Sequence, residues 1–124
     1  MLPVHKNRDL SLIASVNHAA DILGLYRAEL ARILGLNCPD VSDSKNLELL
    51  FESNSTVRSQ AELFSHFFQL LEALFKNDTV SMINWFRKDN IDLGTTPFLT
   101  IVDHGCLSDV VDRLEQTIIE KNRN

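Results

Sequence analysis

The stretch from Thr56 to Phe75 constrains this chain more than any other. Within it, Ala61, Phe64, Phe68, Leu71 and Phe75 recur at helical spacing, and Leu63, Phe67, Leu70 and Leu74 form a second stripe beside them. Residues three and four apart share a helix face, so both stripes belong to one helix that is apolar over a wide arc. Such a helix has to be covered on several sides, either as the central helix of a bundle or against a second copy of the chain. The spacing is what packing alone requires, so the phenylalanines do not define a cofactor box.

The rest of the sequence supplies helices to cover it. No stretch alternates apolar and polar residues long enough to make a strand, and the few glycines and prolines fall at boundaries. Asp9 is placed to cap a first helix whose Leu12, Val16, Ala19 and Leu23 share a face, with Gly24 as its stop. A second helix is expected over Tyr26 to Leu34, with Leu30, Ile33 and Leu34 inward, ending at Gly35. The polar connector NCPDVSDS leads to a third near Lys45 to Glu52. After the long helix, Asp78 or Thr79 caps a helix carrying Met82, Trp85 and Phe86, and the last helix buries Leu107, Val110, Val111, Leu114 and Ile118. The expected fold is all-α, a small helical bundle with one unit over residues 1–53 and another over 54–124. The C-terminal EKNRN reads as a frayed, solvated end.

Composition narrows the function. A net charge of −5 works against broad attraction to nucleic acid, because phosphate contacts need clustered Lys and Arg. No apolar run approaches the roughly 20 residues of a membrane helix, and MLPVHKNRDL lacks the apolar middle of a signal peptide, so a cytoplasmic protein is expected. Cys38 and Cys106 lie far apart and fit no metal motif, which makes two reduced thiols the simplest reading.

The segment NWFRKDNIDLGTTPFLTIVDHG, from Asn84 to Gly105, concentrates shape-setting residues. Gly94 suits a chain reversal with positive φ. Thr96-Pro97 suits a helix start, the threonine as cap and the proline at the first helical position. Phe98, Ile101 and Val102 then point inward from a brief helix over Pro97 to Asp103, and Gly105 turns the chain into the last helix. Helix, turn, short helix, glycine corner and helix make an interlocking tail. Trp85 reads either as a core anchor or as an interface hot spot, and Arg87 and Lys88 stand where they reach a partner.

Trp85, the Asn-x-x-Leu-Gly-x-x-Pro run of Asn90, Leu93, Gly94 and Pro97, then Gly105 and the helix containing Val110 resemble the C-terminal toxin-binding domain of the Xre/MbcA/ParS antitoxin family. The segment AADILGLYRAELARILGLN, Ala19 to Asn37, is similar to the opening of that family's N-terminal helix-turn-helix. The resemblance implies an antitoxin of a type II toxin-antitoxin pair that binds and neutralises a cognate toxin, often a RES-type NAD-consuming enzyme encoded beside it. It further implies a homodimer and binding of operator DNA for autoregulation. Toxin binding would fall to Trp85, Arg87, Lys88, Asn90, Gly94, Pro97 and Gly105, and DNA binding to Arg27, Arg32 and Lys45. The alternative is a helix-turn-helix transcriptional regulator without a toxin partner.

Two features of the residues bear on these implications. The expected recognition segment CPDVSDSKNLELLFE sets Asp40, Asp43, Glu48 and Glu52 against Lys45 alone, which suits phosphate poorly. Arg27, Arg32 and Arg58 read either as backbone contacts or as solvated surface arginines. Catalytic signals are missing as well: His5, His18, His66 and His104 have no metal-ligand spacing, and there is no Gly-rich phosphate loop or Gly-x-Ser-x-Gly elbow. Asp103-His104-Gly105-Cys106 invites a Cys-His dyad, but near neighbours in sequence seldom aim their side chains together. The chain is therefore read as a non-enzyme with no cofactor and no metal. A deep polar cleft around His104 and Cys106 would contradict that.

Overall fold

The computed structural model describes residues 4–36 and 44–123, and among them the fold is all-α. The helices are α1 (Val4–Leu23), α2 (Arg27–Leu34), α3 (Ser44–Ser53), α4 (Ser55–Phe75), α5 (Thr79–Arg87), α6 (Pro97–Val102) and α7 (Leu107–Asn122). The chain forms two compact units, Met1–Ser65 and His66–Asn124, with the division inside α4.

In the first unit α1 packs against α3. Ile13, Val16, Ala19 and Leu23 are buried on α1 and Leu47 and Phe51 on α3, each at the spacing that gathers one helix face. The start expected at Asp9 is corrected: α1 already runs from Val4, and Asp9 lies inside it. Aspartate is only mildly unfavourable within a helix, so a capping residue type does not by itself fix a start. At the other end of α1, Leu25 N–H reaches back to the Ala20 carbonyl at 2.9 Å. The α2 helix opens with the Glu29 carboxylate accepting the Tyr26 N–H at 2.8 Å, half of a capping box. It closes at Gly35, after which Leu36 N–H bonds to Ala31 O at 2.7 Å. The connector residues Cys38, Asp40 and Asp43 lie outside the described residues. A single residue, Asn54, separates α3 from α4. Its Oδ1 accepts the N–H groups of Thr56 and Val57 at 3.1 and 3.2 Å, which satisfies amides that a helix start otherwise leaves orphaned.

The two stripes of α4 are largely enclosed within the chain itself: Ala61, Phe64, Phe67, Phe68, Leu71 and Leu74 are buried, and Leu63, Leu70 and Phe75 half-buried. The helix ends as Lys76 and Asn77 take positive φ angles, 52° and 63°, and Asn77 N–H bonds to Glu72 O at 2.9 Å.

In the second unit Asp78 caps α5. It accepts the Ser81 N–H at 3.3 Å and the Ser81 hydroxyl at 2.8 Å, and these bonds, the hydroxyl first, hold its carboxyl below the usual aspartate range. Phe86 is fully buried at the centre of an aromatic group, with ring centroids 5.9 Å from Phe67 and 5.6 Å from Phe98, the latter edge-on. Both α5 and α7 contact α6, and Ile101, Val102, Leu107, Val110, Val111 and Leu114 complete this core. Of the frayed, solvated end expected for EKNRN, Glu120 to Arg123 are exposed as expected, but the fraying is corrected. Helix α7 continues to Asn122, and Lys121 Nζ donates to the Leu74 carbonyl at 3.3 Å, one of the last carbonyls of α4, where a cation suits the helix dipole. Among the described residues no helix is long and apolar enough to cross a membrane.

Candidate functional site

The segment between α5 and α7 is built almost wholly by backbone chemistry. Asn90 closes a tight turn. Its N–H donates to Thr95 O at 3.0 Å, and its carbonyl accepts from Leu93 N–H at 3.1 Å and Gly94 N–H at 2.9 Å. Its side-chain Oδ1 accepts the Asp92 N–H at 3.0 Å, an Asx turn that fixes the loop from within. Gly94 has φ +76° and Gly105 has φ +64°. A Cβ built on either would meet no atom within 4 Å, so left-handed backbone, and not lack of room, is what calls for glycine. Thr96 Oγ1 accepts the Leu99 N–H at 3.0 Å, with Pro97 buried at the first helical position of α6. After α6, Cys106 N–H returns to Thr100 O at 3.0 Å and locks the corner around Gly105.

The residues read as toxin-binding therefore occupy two kinds of place. Asn90, Gly94, Pro97 and Gly105 set the path of the chain. Trp85, Arg87 and Lys88 stand on the surface that this path supports. Trp85 is half-buried, its ring 6.4 Å from Phe67, so it is anchored on one side and presented on the other. Arg87 is exposed, and its guanidinium lies 4.1 Å from the centroid of Phe98 and 5.6 Å from that of Phe86. That stacking fixes the direction of a long side chain at little cost in solvation. Lys88 is exposed at the end of α5. Sequence reasoning missed Ile91, which sits in the turn at 99% exposure. Its signal was its position, an isoleucine inside a turn of polar residues.

In the first unit Arg27, Arg32 and Lys45 are all exposed, the first two on α2 and the third on α3. On α3, Lys45 shares the exposed surface with Leu49 and Glu52, and Glu48 is half-buried, while Asp40 and Asp43 of the expected recognition segment lie outside the described residues.

An open cleft of about 760 Å³ lies in the second unit. Asp92, Leu93 and Gly94 of the turn form one side, and Asp109, Asp112 and Gln116 of α7 another, with His104 and Cys106 also in its lining. His104 and Cys106 do meet at a cleft, but they form no hydrogen-bonded dyad there. The Cys106 thiol donates to the backbone carbonyl of His104 at 3.3 Å and is not paired with the imidazole. A nucleophile needs its base within hydrogen-bond reach, and this arrangement does not provide one. Arg113 is bridged by Asp92 at 3.6 Å and Glu120 at 3.7 Å. Among the described residues no group of three His, Cys, Asp or Glu side chains is placed to hold a metal ion.

The sequence matches no protein-family model, and a search of curated proteins gives no match.

Proposed function

We propose that the chain is a protein-binding module, an antitoxin that docks on a cognate toxin through the surface of its second unit. The observation that carries this reading is the pair formed by Trp85 and Arg87, which present the residue types that dominate interface energetics. Trp85 is held against Phe67 and Arg87 against Phe98, so both are ordered before any partner arrives. Pre-ordering lowers the entropy lost on binding, which favours affinity without added contact area. The wholly exposed Ile91 extends the same surface, and the resemblance to the Xre/MbcA/ParS family agrees with it. A RES-type NAD-consuming enzyme is the toxin class that the resemblance implies, and a homodimer the assembly. Static light scattering tests the latter, with twice the chain mass expected.

Co-expression with a cognate RES-type toxin tests the docking. The intact chain restores growth, whereas Arg87→Glu with Lys88→Glu and Ile91→Asp loses rescue while circular dichroism stays helical. Full rescue by that triple variant would overturn the reading. A transcriptional regulator without a toxin partner is the second possibility, and the net charge of −5 counts against it. A salt-sensitive mobility shift on upstream DNA that disappears on replacing Arg27, Arg32 and Lys45 would favour it.

A further inference from the structure

Acidic charge in the open cleft is not balanced from within. Arg113 is the one arginine or lysine that lines it, and that guanidinium is already spanned by Asp92 and Glu120. Asp109 and Asp112 face the same space from successive turns of α7, both exposed, and no cation of the described residues lies within ion-pair distance of either. Apolar residues lie in the cleft lining and near it along the chain. Leu93 lines the cleft, Ile91 stands fully exposed next to Asp92, and half-exposed Ile119 follows Asp112 and Gln116 at helical spacing along α7. We propose that this cleft receives an amphipathic basic segment of a protein partner, an arginine or lysine lodging between Asp109 and Asp112 while neighbouring apolar side chains rest on Leu93, Ile91 and Ile119. The inference rests on the docking reading and names the chemistry of what docks.

Charge complementarity selects this occupant. Phosphate groups and nucleic acid would meet repulsion, and a second copy of the chain is itself acidic, at −5 overall. An arginine fits best, because its planar fork bonds carboxylates in two places at once. The volume of about 760 Å³ admits such a side chain with its neighbours, and the open mouth lets a continuous segment lie across it.

The test is an NMR titration of the full-length, isotope-labelled chain with a blocked Leu-Arg-Leu-Arg-Leu peptide, and separately with its Leu-Glu-Leu-Glu-Leu counterpart. Expected are shifts confined to the amides of Gly94, Thr95, His104, Cys106 and α7 on adding the arginine peptide, absent with the glutamate peptide and weakened by salt. Asp109→Asn with Asp112→Asn lowers the affinity by roughly tenfold or more, the loss expected for charge-assisted bonds. No localised shift at millimolar arginine peptide, equal shifts with the glutamate peptide, or undiminished binding by the double variant would each overturn the proposal. Movement of the same amides with protein concentration alone would assign the cleft to a second copy and also overturn it. No toxin is present in this assay, so its failure leaves the rescue experiment standing, and a failed rescue leaves this result standing.

Discussion

Gly94 and Gly105 show how a single residue shapes the candidate surface. Each holds a positive φ with open space where a Cβ would sit, so replacing either by alanine adds backbone strain and nothing else. We predict a loss of about 1–2 kcal/mol for Gly94→Ala, and less for Gly94→Asn, because asparagine tolerates this conformation. Urea titration reads it as a lower midpoint at unchanged slope. Asp78 gives a residue-scale pH dependence. Its carboxyl is held below the usual range by Ser81, so the native state binds fewer protons than the unfolded chain there. That contribution is complete above the unfolded pKa and is lost as pH falls through the folded one. Asp78→Asn should flatten this part of the acid limb in urea midpoints measured across pH, and an unchanged limb would refute the assignment. Caps and left-handed glycines were legible in the sequence because their requirements are local. The Lys121 bond to Leu74 was not, since its partners stand 47 positions apart and meet only through packing.

At the scale of elements, α4 was readable from periodicity alone, because both stripes follow from 3.6 residues per turn. Phe64 is fully buried, and Phe64→Ala should destabilise the chain by about 3–5 kcal/mol; the half-buried Phe75→Ala should cost clearly less. Thermal and urea unfolding of the two variants compare them directly, and equal losses would contradict the burial seen along this helix. For α6, Thr96→Ala removes the acceptor of the Leu99 N–H and should cost about 1 kcal/mol. The same logic misplaced the start of α1, because Asp9 has the right chemistry for a cap but is tolerated inside a helix. The cleft escaped the sequence for another reason. Its sides come from a turn and from α7, and no periodic pattern records that they face one another.

At the scale of the whole molecule, the proposed function rests on surface features: Trp85 and Arg87 set against phenylalanines, Ile91 in solvent, and a cleft lined by aspartates. The motif residues were visible as letters, and their roles became distinct only in three dimensions. Asn90 spends its groups on the turn, and Arg87 remains on the surface. The chain's net charge of −5 works against broad attraction to nucleic acid and agrees with the basic segment proposed for the cleft. The most direct measurement is NAD consumption by a purified RES-type toxin, the class of partner proposed for this chain, with the full chain added in increasing amounts. The account predicts that stoichiometric chain stops turnover, and that the Arg87→Glu, Lys88→Glu, Ile91→Asp variant does not. Undiminished turnover in excess wild-type chain would contradict it.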